Sequence, residues 1–351
     1  MTSSRWRLSD ARFLLILLLP ATTLLNVLLR PQTAFWGAIA ILLLVAAVDA
    51  CWPGAQRSPA PAGPQPQLRW LLRLYVPLQA ALLLAGLARA PHLDWLQVAG
   101  LAFGVGFVTG SMGITFAHEL GHSRHRADRV LAWLLMASVN YSHFMVEHYR
   151  GHHPRAASRD DPASARRGES LWRFLPRTLA GSCVDAWRLE RQMLLRTRRG
   201  WTSSALAWSW GANLAIVGAL AAAGQGRMLA FWLGQSAIAI WLLETVNYIE
   251  HYGLQRNVDA TGRREPFGVQ HAWNADHVLS NSVLANLQRH SDHHLRALTP
   301  FPQLQALPGP QLPTGYAGCI WLAAVPPLWF ALMDPKVEAV AGTESAERAA
   351  G

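Results

Sequence analysis

WLQVAGLAFGVGFVTGSMGITFAHELGH, running from Trp95 to His122, decides how the rest of the chain is read. Its first part is an apolar run long enough to cross a bilayer, for which about 20 residues are needed. Its end is polar and carries two histidines four residues apart. A membrane span that delivers His118 and His122 at its edge predicts a polytopic helical protein with a site at the membrane face. Five further apolar segments meet or approach the same length: Arg12–Arg30, Thr33–Ala50, Trp70–Ala88, Ser203–Ala223 and Met228–Tyr248. The first follows Arg5, Arg7 and Arg12 and could pass for a signal peptide. It is too long, lacks a small-residue cleavage site and leads straight into a second span, so it reads as a retained anchor. Pro20 is tolerable in it because neighbouring helices satisfy a freed carbonyl.

The composition agrees. Of 351 residues, 51% are hydrophobic and only 15% charged, below the roughly 25% of soluble domains. That balance excludes a disordered chain. The net charge of +10 comes almost wholly from arginine, with Lys336 the lone lysine, and is densest between Arg124 and Arg199. Because these charges flank apolar spans, they orient the chain with the basic side in the cytoplasm instead of marking a nucleic-acid site. Six spans put both termini on that side, together with the stretch from His118 to Gly200 and everything after Tyr248. Pro53–Gln67 reads as a linker, and residues 338–351 as a flexible tail. A seventh apolar stretch, Val130–Phe144, is too short and polar to span comfortably and is either re-entrant or surface-lying. The three cysteines, Cys51, Cys183 and Cys319, have no metal or disulfide spacing.

Nine of the 14 histidines fall in four clusters, each at or near the basic end of an apolar segment. They are His118-Glu-Leu-Gly-His122, Glu147-His148-Tyr-Arg-Gly-His152-His153, Asn247-Tyr-Ile-Glu250-His251-Tyr-Gly253 and Gln288-Arg-His290-Ser-Asp292-His293-His294. Spacing of four puts two imidazoles on one helical face, so His118 pairs with His122 and His148 with His152, while His153 turns aside. Alone, the first cluster would also suit a zinc protease with Glu119 as base. Nine donors exceed the four ligands of one tetrahedral zinc and point to two metals. Imidazole suits zinc, copper, iron or nickel, so ligand type does not choose among them. Carboxylates beside the histidines, Glu119, Glu147, Glu250 and Asp292, are placed to orient the imidazoles from behind or to be solvated helix-end charges; Asp161 and Asp276 are weaker candidates. His92 and His125 lie apart, and His143, His271 and His277 suit supporting roles.

The strings HELGH, EHYRGHH, NYIEHYG and LQRHSDHH resemble the integral-membrane alkane monooxygenases, within the wider membrane desaturase and hydroxylase group. Asp161-Pro-Ala-Ser-Ala, Gly168-Glu-Ser, His271-Ala-Trp-Asn and Gln311-Leu-Pro-Thr-Gly-Tyr-Ala-Gly extend the likeness, which covers about Phe13–Val337. It implies an all-α fold of six transmembrane helices bearing a cytoplasmic cap, in one domain over 1–351, with metal-binding regions 118–200 and 249–337. It implies two irons held by His118, His122, His148, His152, His153, His251, His290, His293 and His294. The implied activity is dioxygen-dependent terminal hydroxylation of an alkane in the inner membrane, with electrons from rubredoxin and an NAD(P)H-dependent rubredoxin reductase. Sister enzymes of the group, acyl desaturases and alkyl-aromatic hydroxylases, share the generic boxes. Two places depart from the family pattern: Ser123 stands where the first box commonly continues with Lys, and Thr299-Pro-Phe-Pro-Gln replaces an Arg-Tyr-Gln stretch. An apolar slot for the alkane is expected below the site. Trp36, Trp95, Phe103, Phe107 and Trp241 are candidates to line it, although lipid-facing belts are the commoner place for such residues.

Overall fold

The computed structural model describes residues 8–52 and 66–350. They form helices, with only isolated bridges at Val258–Arg264 and Asn274–Gln311 in extended pairing among the described residues. Six helices are long and apolar enough to cross a membrane: α1 (Asp10–Leu29), α2 (Pro31–Cys51), α3 (Leu68–His92), α4 (Trp95–Gly121) and, after a shorter α5 (Arg126–Ser138) and the amphipathic α6 (Leu171–Thr197), α7 (Ala205–Ala222) and α8 (Gly226–His251). The expected linker lies outside the described residues up to position 65, and Pro66 and Gln67 already belong to the helix that becomes α3.

Helix α4 starts on a capping box, in which Asp94 accepts from the Gln97 N–H and the Gln97 side chain accepts from the Asp94 N–H. It is the most enclosed span, and α7 is the most exposed. Glycines explain how α4 sits so deep. A Cβ on Gly106 would come within 2.6 Å of the Gln235 carbonyl oxygen, and one on Gly110 within 2.7 Å of the Ala239 Cα. Small residues let the α4 and α8 backbones touch, and close contact is what holds helices together in lipid.

The segment left open by its composition dips into the bundle. Helix α5 begins where Asp128 accepts from Arg73 Nε at 2.7 Å. It ends at Ser138, which takes a 2.7 Å hydrogen bond from Gln79 and gives its carbonyl to Gln235 at 3.1 Å, both residues lying well inside their spans. Asn140, with φ of 56°, reverses the chain and donates to Ser236 at 2.6 Å. Irregular backbone at this depth is tolerated only when buried in protein, and this polar knot buries it. The first part of the region 118–200 is thus a helical hairpin packed among the spans.

Beyond α8, a short helix α9 (His290–Leu295) carries the last histidines. Helix α10 (Tyr316–Ala324) wedges against α2 and α8, and α11 (Pro326–Ala350) leaves it at 119°. The backbone stays helical through Ala350, where the sequence suggests a loose tail.

Candidate metal centre

The nine clustered histidines converge in two groups. His118 and His122 at the end of α4, His148 and His153 on the returning arm of the hairpin, and His293 on α9 form one. His152, His251 at the end of α8, His290 and His294 form the other. In the first group Nε2 of His118 is 2.9 Å from that of His293, and His153 Nε2 lies 3.1, 3.0 and 3.2 Å from those of His122, His148 and His293. In the second, His290 Nε2 is 3.1 Å from His251 and 3.0 Å from His294.

One local feature makes this sorting possible. His148–His152 is a π-helical turn, a form concentrated at functional sites. Widening the turn aligns positions five apart, so His148 faces His153, and His152 is turned toward the other group. Reading the segment as an α-helix pairs His148 with His152, and the structure corrects that. Helix α9 splits its histidines without such help: His290 and His294, four apart, serve one group, and His293 serves the other.

Several imidazoles are fixed from behind. His152 Nδ1–H donates to Asp161 Oδ2 at 2.8 Å, and Asp161 also accepts from Ser164 Oγ at 2.6 Å and from the Ala163 N–H at 3.1 Å. His251 Nδ1–H points to the His271 carbonyl at 3.3 Å. His290 Nδ1 lies 3.3 Å from Glu250 Oε1, which accepts from Tyr316 at 2.7 Å. Phe144 stacks on His148 with ring centroids 4.5 Å apart, and Phe267 on His294 at 4.8 Å.

The other four carboxylates named above are engaged elsewhere. Glu119 accepts from the Phe301 N–H at 3.0 Å, Glu147 from Arg155 at 3.3 Å, Asp276 from Arg289 at 2.7 Å and Asp292 from Arg296 at 2.7 Å. Neighbours in sequence do not face each other on a helix, so a carboxylate beside a histidine points away from it. Even Glu250 serves His290 and not His251. Ser164 and Tyr316 lie in strings that carry the family likeness, without a role assigned to them there, and the two stacking phenylalanines had no signal in the sequence.

The donors suit a cation. Burial, reinforced by neighbouring imidazoles, holds His148, His153, His290, His293 and His294 well below the ordinary histidine range, so they are neutral. Burial pushes the Asp161 carboxyl up, but His152 and the hydrogen bonds of Ser164 win and hold it at about 2. With Nδ1 bound to Asp161, His152 Nε2 is buried and has no hydrogen-bond partner. Lone pairs about 3 Å apart repel unless a positive charge lies between them. A metal about 2.1 Å from each nitrogen sets adjacent donors at right angles about 3 Å apart.

An apolar cavity abuts the groups. His118, His148 and His290 form part of its wall beside Asn247, Glu250 and Tyr316, and further side chains come from α1, α2, α4, α8 and α10, among them Leu19, Leu42, Phe107, Leu242 and Ile320, and from the stretch 280–287. Of the five aromatics considered for this role, only Phe107 lines the cavity, and Trp36 and Trp95 are exposed on the outer surface.

Residues 93–323 match the fatty acid desaturase family. The chain is 42% identical over 249 residues to alkane 1-monooxygenase 1 of Pseudomonas aeruginosa, covering 70% of this chain and 65% of that one. To alkane 1-monooxygenase 2 of the same organism it is 39% identical over 325 residues, covering 88% and 85%. To the xylene/toluene monooxygenase hydroxylase component XylM of Pseudomonas putida it is 30% identical over 246 residues, covering 69% and 65%.

Proposed function

The chain belongs to the fatty acid desaturase family and, within it, to the alkane 1-monooxygenases, and from that premise we propose that it hydroxylates the terminal carbon of an alkane at a centre of two irons. One ion would be held by His118, His122, His148, His153 and His293, and the other by His152, His251, His290 and His294. The observation that carries this reading is the gathering of nine imidazoles into two groups, three of whose members, His118, His148 and His290, line an apolar cavity. Iron bound there supplies reductive activation of dioxygen. The overall change takes an alkane, dioxygen, two electrons and two protons to a primary alcohol and water.

The chain's own residues do the rest. Asp161 and the His271 carbonyl fix the tautomers of His152 and His251, so that both present Nε2. Leu42, Phe107, Leu242 and Ile320 hold the alkyl chain by burial and keep water from it. Because the cavity is walled by spans, an alkane dissolved in the bilayer reaches it from the side. The arginine-rich face is read as cytoplasmic, with both termini there and the chain in the inner membrane as a single oxygenase domain. Rubredoxin, reduced by its NAD(P)H-dependent reductase, is the proposed donor, drawn by that basic face. A second reading, oxidation of an alkyl side chain on an aromatic ring, is favoured by the likeness to XylM.

The test is expression in membranes with rubredoxin and its reductase, with octane, xylene and an acyl lipid offered in parallel and iron measured per chain. The expected result is 1-octanol as the main product, two irons per chain, and loss of both turnover and full loading in His251→Ala. A single bound ion, or none, overturns the two-iron reading. Preference for xylene moves the chain to the second.

A further inference from the structure

We propose that a cleft separate from the apolar cavity, walled in part by His122 of the first histidine group, is the inlet through which water and protons reach that group. This rests on the oxygenase reading, because such a reaction consumes protons and releases water at a point where its other substrate needs dryness. Apolar walls conduct both poorly, since a polar group that passes along them leaves its hydrogen bonds unmade. A wet route separate from the alkane route is required.

The cleft runs between the start of α3, the end of α4 and the loop after α9. Arg69, Glu119, His122, Ser123 and Thr299 give it a polar strip among apolar walls such as Leu72 and Ala297, and none of these residues lines the apolar cavity. It opens outward past Leu298, which is exposed. Within the first group, His118, His148 and His293 are buried, whereas His122 is only partly so and forms part of the cleft wall. Its polar side chains are linked into the protein: the Arg69 guanidinium lies 3.7 Å from Asp128, Ser123 donates to Asp128 at 2.6 Å, and the Glu119 carboxylate takes the Phe301 N–H at 3.0 Å. Both departures from the family pattern noted in the sequence, Ser123 and Thr299–Gln303, lie in this one place.

Two measurements test the inlet. In the iron-loaded protein, the association rate of azide, read from its optical band, is expected to fall about tenfold in Ala297→Trp and in Thr299→Trp and to stay unchanged in Leu242→Trp, which narrows the apolar cavity. In the full-length metal-free chain, diethyl pyrocarbonate mapping is expected to modify His122 before His118, His148 and His293. The two cleft variants should slow modification of His122 while leaving His153 and His294 at their original rates, a pattern that a misfolded variant would not give. Unchanged azide rates in both cleft variants, or a His122 no more reactive than His118 in the unsubstituted chain, overturn the proposal. A chain that binds no iron defeats the oxygenase reading instead, and the mapping still judges the inlet.

Discussion

Among the imidazoles outside the spans, His122, His148, His153, His290, His293 and His294 all sit well below the ordinary histidine range, first because they are buried and second because they crowd one another. An unfolded chain takes protons on these rings as pH falls through about 6.5, and the folded chain does not. Fewer protons bound when folded means that this stability is present above that pH and is lost below it. The melting temperature of the metal-free protein is therefore expected to fall steadily from about pH 7 to about pH 5, and calorimetry across that range checks it. Asp161, held at about 2, titrates below the window and contributes nothing to the slope. At this scale the nine histidines were legible as a set, because their spacing and their place beside apolar runs are visible in the sequence. Their partners were legible only in part: Asp161, a weaker candidate in the sequence, takes the His152 N–H, and His271, given a supporting role, takes that of His251. A carboxylate next to a histidine looks like its support, yet helical geometry sends Glu119, Glu147 and Asp292 to other donors, and Glu250 reaches a histidine 40 positions away.

The returning arm of the hairpin shows what an element adds. Its π-turn assigns His148 and His153 to one group and His152 to the other, and the turn is tight at Gly151, where a Cβ would come within 2.6 Å of both Glu147 Oε1 and Arg155 Nη2. Gly151→Ala is expected to cost about 1–3 kcal/mol through overpacking and to lower metal content, as measured by denaturant titration and elemental analysis on the same sample. Full loading with unchanged stability would show that the turn has slack. No pattern of residues announced the π-turn, because one extra residue per turn leaves apolar periodicity nearly as it was. The hairpin's depth was half legible: Asn140, Ser142 and His143 spoke against a span, but the buried knot of Gln79, Ser138 and Gln235 joins three helices distant in sequence.

For the whole molecule, the six spans were plain from hydropathy and recur at about the same limits among the described residues, while α10 and α11 together form a bent pair that is also long and apolar enough to cross and that the sequence reading did not single out. The cavity was not plain, since its walls come from α1, α2, α4, α8, α10 and the stretch 280–287, which are far apart in the sequence. The asymmetry of charge supports a further expectation. If an acidic electron donor docks on the arginine-rich face, turnover falls several-fold between low salt and about 0.15 M, where the screening length is about 8 Å. Steady-state assays over an ionic-strength series decide this, and a flat profile removes electrostatics from the docking.

Helix α9 is only six residues long, yet it furnishes donors to both groups, with His293 on one side and His290 and His294 on the other. A rigid peg of that size cannot be seated for one ion and left loose for its companion. Uptake of the first ion therefore half-builds the berth of the second, and the centre should fill in an all-or-none manner, with singly occupied chains scarce at every stage of a titration.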